Sequence, residues 1–152
     1  MPQITIAQME SLAREQLPFA VESGFILDSL ADGRAVVRAP YRSAFLRPGG
    51  TIAGPVMMGL ADYAIYAALL SRIGLVELAV TTSFNINFLS RPGEADLIAD
   101  AGIIKLGKRL AVGEVEIVSA DRDDLVAHVT ATYSIPPDAV LIAQETGRHE
   151  RE

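Results

Sequence analysis

The sequence has 152 residues, half of them hydrophobic and 21% charged. That is enough apolar material for one folded core and too little charge for a disordered chain. The net charge of −6, with no basic tract, argues against a nucleic-acid partner. The absence of cysteine excludes disulfides, thiolate catalysis and cysteine metal sites, and two histidines, His128 and His149, are too few for most histidine metal sites. No basic region followed by an apolar core opens the chain, so no signal peptide is expected and a cytoplasmic location is the default.

Residues 5–17 read as an amphipathic helix. Thr5 with Gln8 fits a capping box, Ile6, Met9, Leu12, Ala13 and Leu17 form the apolar stripe, and Pro18 stops it. Residues 19–30 and 34–40 read as two strands joined at Asp32-Gly33, a strong hairpin signal. A glycine-rich loop over 41–54 carries Arg42 and Arg47 into the run Gly54–Ser71. This run is rich in Ala, Leu and Met and holds one charge, Asp62. Pro55 suits a first helical turn, and a helix from there to near Gly74 would be about 27 Å long. A helix apolar on every face is buried on every face, so it is expected at the centre of a soluble domain rather than in a membrane.

Four strands are expected after it, over 79–89, 95–106, 110–119 and 125–135, broken by Arg91-Pro92-Gly93, Gly107-Lys108-Arg109, Asp121–Asp124 and Pro136-Pro137. In the first of these, alternation places Val80, Thr82, Phe84, Ile86 and Phe88 on one face. Thr81, Ser83, Asn85 and Asn87 then share the other. The chain is expected to be one domain over 1–152, with residues 136–152 a tail that frays. One long apolar helix with six strands in consecutive hairpins gives an α+β fold, a six-stranded antiparallel sheet curled around one long central helix.

Asp62 is the anomaly of that helix, because a carboxylate in an apolar site must find partners or shift its pKa. Its helical neighbours Met58, Gly59, Ile65 and Tyr66 supply no cation. It is either a structural acceptor for loop N–H groups or a base or nucleophile at a pocket.

The segment Pro48-Gly-Gly-Thr-Ile-Ala-Gly-Pro-Val-Met-Met-Gly-Leu-Ala-Asp62 carries a resemblance. It is similar to the hotdog-fold thioesterases, in the branch that includes the phenylacetate-pathway and hydroxybenzoyl-CoA thioesterases, over roughly residues 18–135. Their pattern is Asn-Pro-x-Gly-x-x-His-Gly-Gly, four variable residues, then Leu-Ala-Asp or a Glu equivalent. Pro48, Gly50, Gly54, Leu60, Ala61 and Asp62 match, as do Asn85-Ile-Asn-Phe-Leu89, Arg91-Pro92 and Leu106-Gly-Lys108. Arg47 stands for the Asn, Ala53 for the His and Pro55 for the second Gly.

The resemblance implies a cofactor-free hydrolase of acyl-CoA thioesters with small aromatic or short to medium acyl groups. Asp62 would act as base or nucleophile, the Gly54 N–H would polarise the thioester carbonyl, and Thr81 would hold the water. Tyr66 would line the acyl group and Asn85 the pocket or a subunit contact. Arg91, Lys108 and Arg109 would meet CoA phosphates, and Arg47 would replace the lost donor or bind an anionic group of the ligand. Sites would lie at the subunit interface of a homodimer or homotetramer. A non-catalytic acyl-CoA or acyl-carrier binding protein is the alternative, motivated by Arg47, Ala53 and Pro55. The absence of any His before residue 128 argues against a hydratase of the same fold.

Overall fold

The computed structural model describes residues 1–137, so the 138–152 tail lies outside the described residues. The first helix, α1 (Ile6–Gln16), has the expected capping box: Thr5 accepts from the Gln8 N–H and its own N–H donates to the Gln8 side chain. Met9, Leu12 and Ala13 form its buried face. The central helix, α3 (Gly54–Ile73), is capped at its end by Gly74, whose φ of +85° suits glycine. Twelve of its residues are buried, among them Leu60, Ile65, Leu69 and Leu70. It is long and apolar enough to cross a membrane, and here it is the wrapped core helix.

The wrapping is a six-stranded antiparallel sheet in the order β1 (Ile26–Ala31), β2 (Arg34–Ala39), β6 (Leu97–Leu106), β7 (Leu110–Ser119), β8 (Leu125–Ser134), β5 (Val80–Phe88). Its inner face reads by twos along each strand. Ala35, Val37 and Ala39 of β2 are buried against α3, as are Leu97, Ala99 and Ala101 of β6, and Ala127, Val129, Ala131 and Tyr133 of β8. The small residues let the sheet approach the helix closely. The β1–β2 hairpin turns at Gly33, φ +77°, whose N–H donates to the buried Ser71 Oγ of α3 at 2.8 Å. β1 and β5 are the sheet edges.

Three expectations need correction. Residues 19–30 are not one strand: Pro18 ends α1 and also occupies the first turn of a second helix, α2 (Pro18–Glu22), before β1 begins at Ile26. The 41–54 loop is also more ordered than expected. It contains a 3₁₀ turn at Ser43–Phe45 and a small ribbon, β3 (Leu46–Arg47) with β4 (Thr51–Ile52), which turns through Gly49 and Gly50, both at positive φ.

The expected alternation of β5 fails as well. A β-bulge between Thr81 and Ser83 places two residues against one of β8, so that Thr81 opposes Tyr133 while Ser83 opposes Thr132. The alternation therefore reverses at the bulge. Thr81 faces inward with Phe84 and Ile86, and Asn85 and Asn87 lie on the outer face.

Candidate active site

Asp62 is half-buried in the third turn of α3, and its partners are hydroxyls rather than loop N–H groups. Thr81 Oγ1 and the Tyr133 hydroxyl each donate to Asp62 Oδ1 at 2.6 Å. The same Tyr133 hydroxyl lies 3.0 Å from the Asp62 carbonyl oxygen. Both contacts depend on strand register: the bulge turns Thr81 inward, and β8 alternation brings Tyr133 to the adjacent inward position. Oδ1 is thus held by two donors, and no described residue donates to Oδ2. A carboxylate anchored through one oxygen presents the other in a fixed direction, the geometry that a general base or nucleophile needs. Burial, and secondly the Asp62 carboxylate, hold the Tyr133 phenol well above its ordinary range, so it stays a proton donor.

Two concavities meet at Asp62, with Gly59 and Thr81 shared between them. One, of about 390 Å³, runs under the α1–α2 corner and is walled by Leu17, Phe19, Tyr63, Tyr66 and Ala79. The other, of about 340 Å³, opens toward the β5 edge between Met58 and Phe84. In the first, the Tyr66 hydroxyl donates to the Glu77 carbonyl at 3.0 Å, and Gln16 Nε2 donates to Glu77 Oε2 at 2.9 Å. Burial raises the Tyr63 and Tyr66 phenols to about 12, with Glu10 and Glu77 respectively as the next cause.

Gly54 opens α3 with no side-chain cap from Ala53. A helix start leaves N–H groups free and carries the positive end of the dipole, and Pro55 has no N–H to offer. Gly54 packs on Phe88 so closely that a Cβ there would lie 3.1 Å from the ring's Cζ. Within one chain, Gly54 and Asp62 are eight residues apart, about 12 Å along the helix axis. Gly54 thus sits at the Phe88 end of β5 and Asp62 at the Thr81 end.

The structure brings together Asp62, Thr81 and Tyr66 from the expected site, and adds Tyr133. Asn85 lies on the outer sheet face opposite Thr130, away from the cavity; the alternation that grouped it with Thr81 fails at the bulge. Lys108 and Arg109 are exposed at the β6–β7 turn, the Asp62 end of the sheet, whereas Arg91 is exposed after β5, at the Gly54 end. Arg47 is exposed on the β3–β4 ribbon. His128 pairs with Glu114 at 3.1 Å on the outer face and has no part in the site. Tyr133 did carry a sequence signal: a hydroxyl-bearing aromatic at an inward position of β8 needs a partner for its O–H.

The sequence profile of the thioesterase superfamily matches residues 49–126. Among solved structures, the chain is 37% identical to an inferred thioesterase from Silicibacter sp., covering 90% of this chain and 95% of that one with a TM-score of 0.82. It is 32% identical to a variant of the phenylacetic acid degradation protein PaaI from Thermus thermophilus, over 78% of this chain and 99% of that one, TM-score 0.71. An inferred esterase of Halobacterium salinarum is 31% identical over 107 residues, 66% of this chain and 70% of that protein.

Proposed function

This chain belongs to the thioesterase superfamily, a family of acyl-thioester hydrolases, and we propose that it hydrolyses acyl-CoA thioesters of small aromatic or short to medium acids in the cytoplasm, without a cofactor. The observation that carries the reading is the Asp62 carboxylate, anchored through Oδ1 by Thr81 and Tyr133 at the junction of two concavities. In this mechanism Oδ2 accepts a proton from water as the water oxygen bonds to the thioester carbon. The C–S bond then breaks and the CoA sulfur leaves, taking up a proton. Direct attack by Oδ2, with hydrolysis of the resulting anhydride, is the nucleophilic variant of the same geometry.

The oxyanion donor in this proposal is the Gly54 N–H of a second copy. Supporting this, β5 is a sheet edge among the described residues, and Val80 and Phe88 of the strand, Leu89 just after it and Met58 of α3 are exposed apolar residues. Such an edge invites strand pairing. Antiparallel pairing of β5 with its copy about Asn85, with the bulge taking up the odd residue, sets Thr81 of one chain opposite Phe88 of the other. Asp62 then faces the partner's Gly54. The same pairing gathers Lys108 and Arg109 of one chain and the partner's Arg91 around one site, a set of cations for CoA phosphates despite the net negative charge. The aromatic rings of Tyr63 and Tyr66 suit a small aromatic or short acyl group.

The test is complementation. Asp62→Asn and Gly54→Pro each lose activity alone, and refolding them together restores turnover through dimers holding one intact site. No restoration in mixed dimers overturns the shared site. A second reading, an acyl-CoA or acyl-carrier binding protein, is favoured by Ala53 and Pro55, which leave one backbone N–H and no side-chain donor at the helix start. CoA esters that raise the melting temperature without any hydrolysis would establish it.

A further inference from the structure

The cavity beside Asp62 is walled on one side by the corner between α1 and α2, which the hydrolytic step does not use. We propose that the acyl group enters this cavity and that the Phe19 ring is the partition that limits its length, an inference that rests on the thioesterase reading.

Phe19 is 59% exposed, yet its ring has a neighbour on two sides. It lies across Gly59 of α3, where a Cβ would come within 2.5 Å of ring Cε1 and 2.8 Å of Cζ. On its other side it meets Phe25 edge-on, centroids 6.1 Å apart at 80°. Gly59 is three residues before Asp62, on the same helical face. The missing side chain at 59 therefore seats an aromatic ring next to the reacting carboxylate.

The ring stands between two cavities. One is the 390 Å³ space that holds Asp62, Tyr63 and Tyr66. The other, of about 310 Å³, lies between α2, the start of α3 and the 3₁₀ turn, with Arg42, Phe45 and Val56 in its wall. Among the described residues, Phe19 is the one common to both walls. An acyl chain that starts at the thioester carbon beside Asp62 and runs under the α1–α2 corner stops against this ring. Beyond it lies room that the native side chain denies.

The experiment is a chain-length series of saturated acyl-CoAs, with kcat/KM expressed relative to the shortest member, for wild type, Phe19→Ala and Phe19→Trp. Each methylene accommodated in an apolar site adds up to about fourfold. The wild-type series is expected to rise and then break where the chain meets the ring. Phe19→Ala should move the break to longer chains by several carbons, and Phe19→Trp to shorter ones. The same series is read as affinity by calorimetry on the Asp62→Asn protein, which does not depend on turnover. Coincident breaks in all three proteins, by kinetics or by affinity, overturn the partition. An absence of hydrolysis with a break that still moves overturns the hydrolase reading and leaves the partition standing.

Discussion

The Tyr133 hydroxyl lies 2.6 Å from Asp62 Oδ1, joining residues 71 positions apart. It also reaches the backbone carbonyl of the same aspartate at 3.0 Å. One phenol thus fixes both the side chain and the backbone of Asp62, and with Thr81 it commits Oδ1 to anchoring. Removing it should loosen the carboxylate without removing it. A hydrogen bond to a charged group contributes about 1.5–3 kcal/mol. Tyr133→Phe is accordingly expected to lower kcat by roughly ten- to a hundredfold, with KM little changed. A variant that raises KM and keeps kcat would assign Tyr133 to substrate binding instead.

Thr81 is separable from its neighbour by chemistry. Thr81→Ser keeps the hydroxyl and is expected to retain most turnover, whereas the near-isosteric Thr81→Val removes the donor and should not. Equal activity in the two would show that the hydroxyl serves only the fold.

The two predicted roles of Gly54 are also separable. Gly54→Pro deletes the N–H at a helical position that tolerates proline. Loss of an oxyanion donor costs about 10²–10³ in rate. Gly54→Ala keeps the N–H and asks the half-exposed Phe88 ring to yield a few tenths of an ångström. Alanine is expected to be far more active than proline; equal losses would mean that packing on Phe88 is what matters at this position.

Much of this fold is readable from pattern alone. The run 54–71 holds a single charge, Asp62, and is framed by Pro55 and Gly74, and in a chain otherwise patterned as strands it reads as a central helix. Asp32-Gly33 gives the first hairpin, and the strand breaks fall at or near Pro92, Gly107 and Pro136. What escaped has a physical cause in each case. Pro-Phe-Ala-Val-Glu is too short to show a helical period, so α2 reads as the start of a strand. A bulge shifts side-chain parity without any change in composition, so the true inward face of Thr81 is invisible locally. Tyr133 meets Asp62 only through sheet register, a long-range property.

All four tyrosines have phenol pKa values above the ordinary 10, with burial the first cause in each. Between pH 10 and 12 the unfolded chain has lost phenolic protons that the folded chain still holds. Stability contributed by these groups is therefore complete below pH 10 and falls as pH rises past it. Tyrosinate absorbance should appear together with loss of the circular dichroism signal. Ionisation of all four near pH 10 in a folded protein would contradict this.

Ser71 tests the scaffold independently of the chemistry. Its buried Oγ accepts the Gly33 N–H and donates to the Ala68 carbonyl. Ser71→Ala leaves a buried N–H unpaired, with an expected cost of about 1–3 kcal/mol in chemical denaturation and unchanged kcat/KM at temperatures where the variant is folded. An unchanged denaturation midpoint would show that the hairpin turn does not depend on this tie.

Whether Asp62 carries thioester hydrolysis is read from thiol release. Wild type and Asp62→Asn are run side by side on a panel of short, medium and aromatic acyl-CoAs, with free CoA read by a thiol-reactive dye. Wild type is expected to turn over at least one ester. The variant is expected to lose at least about 10² in rate, with its fold and melting temperature close to native. Comparable turnover by Asp62→Asn, or none by wild type on any ester, would contradict that role for Asp62.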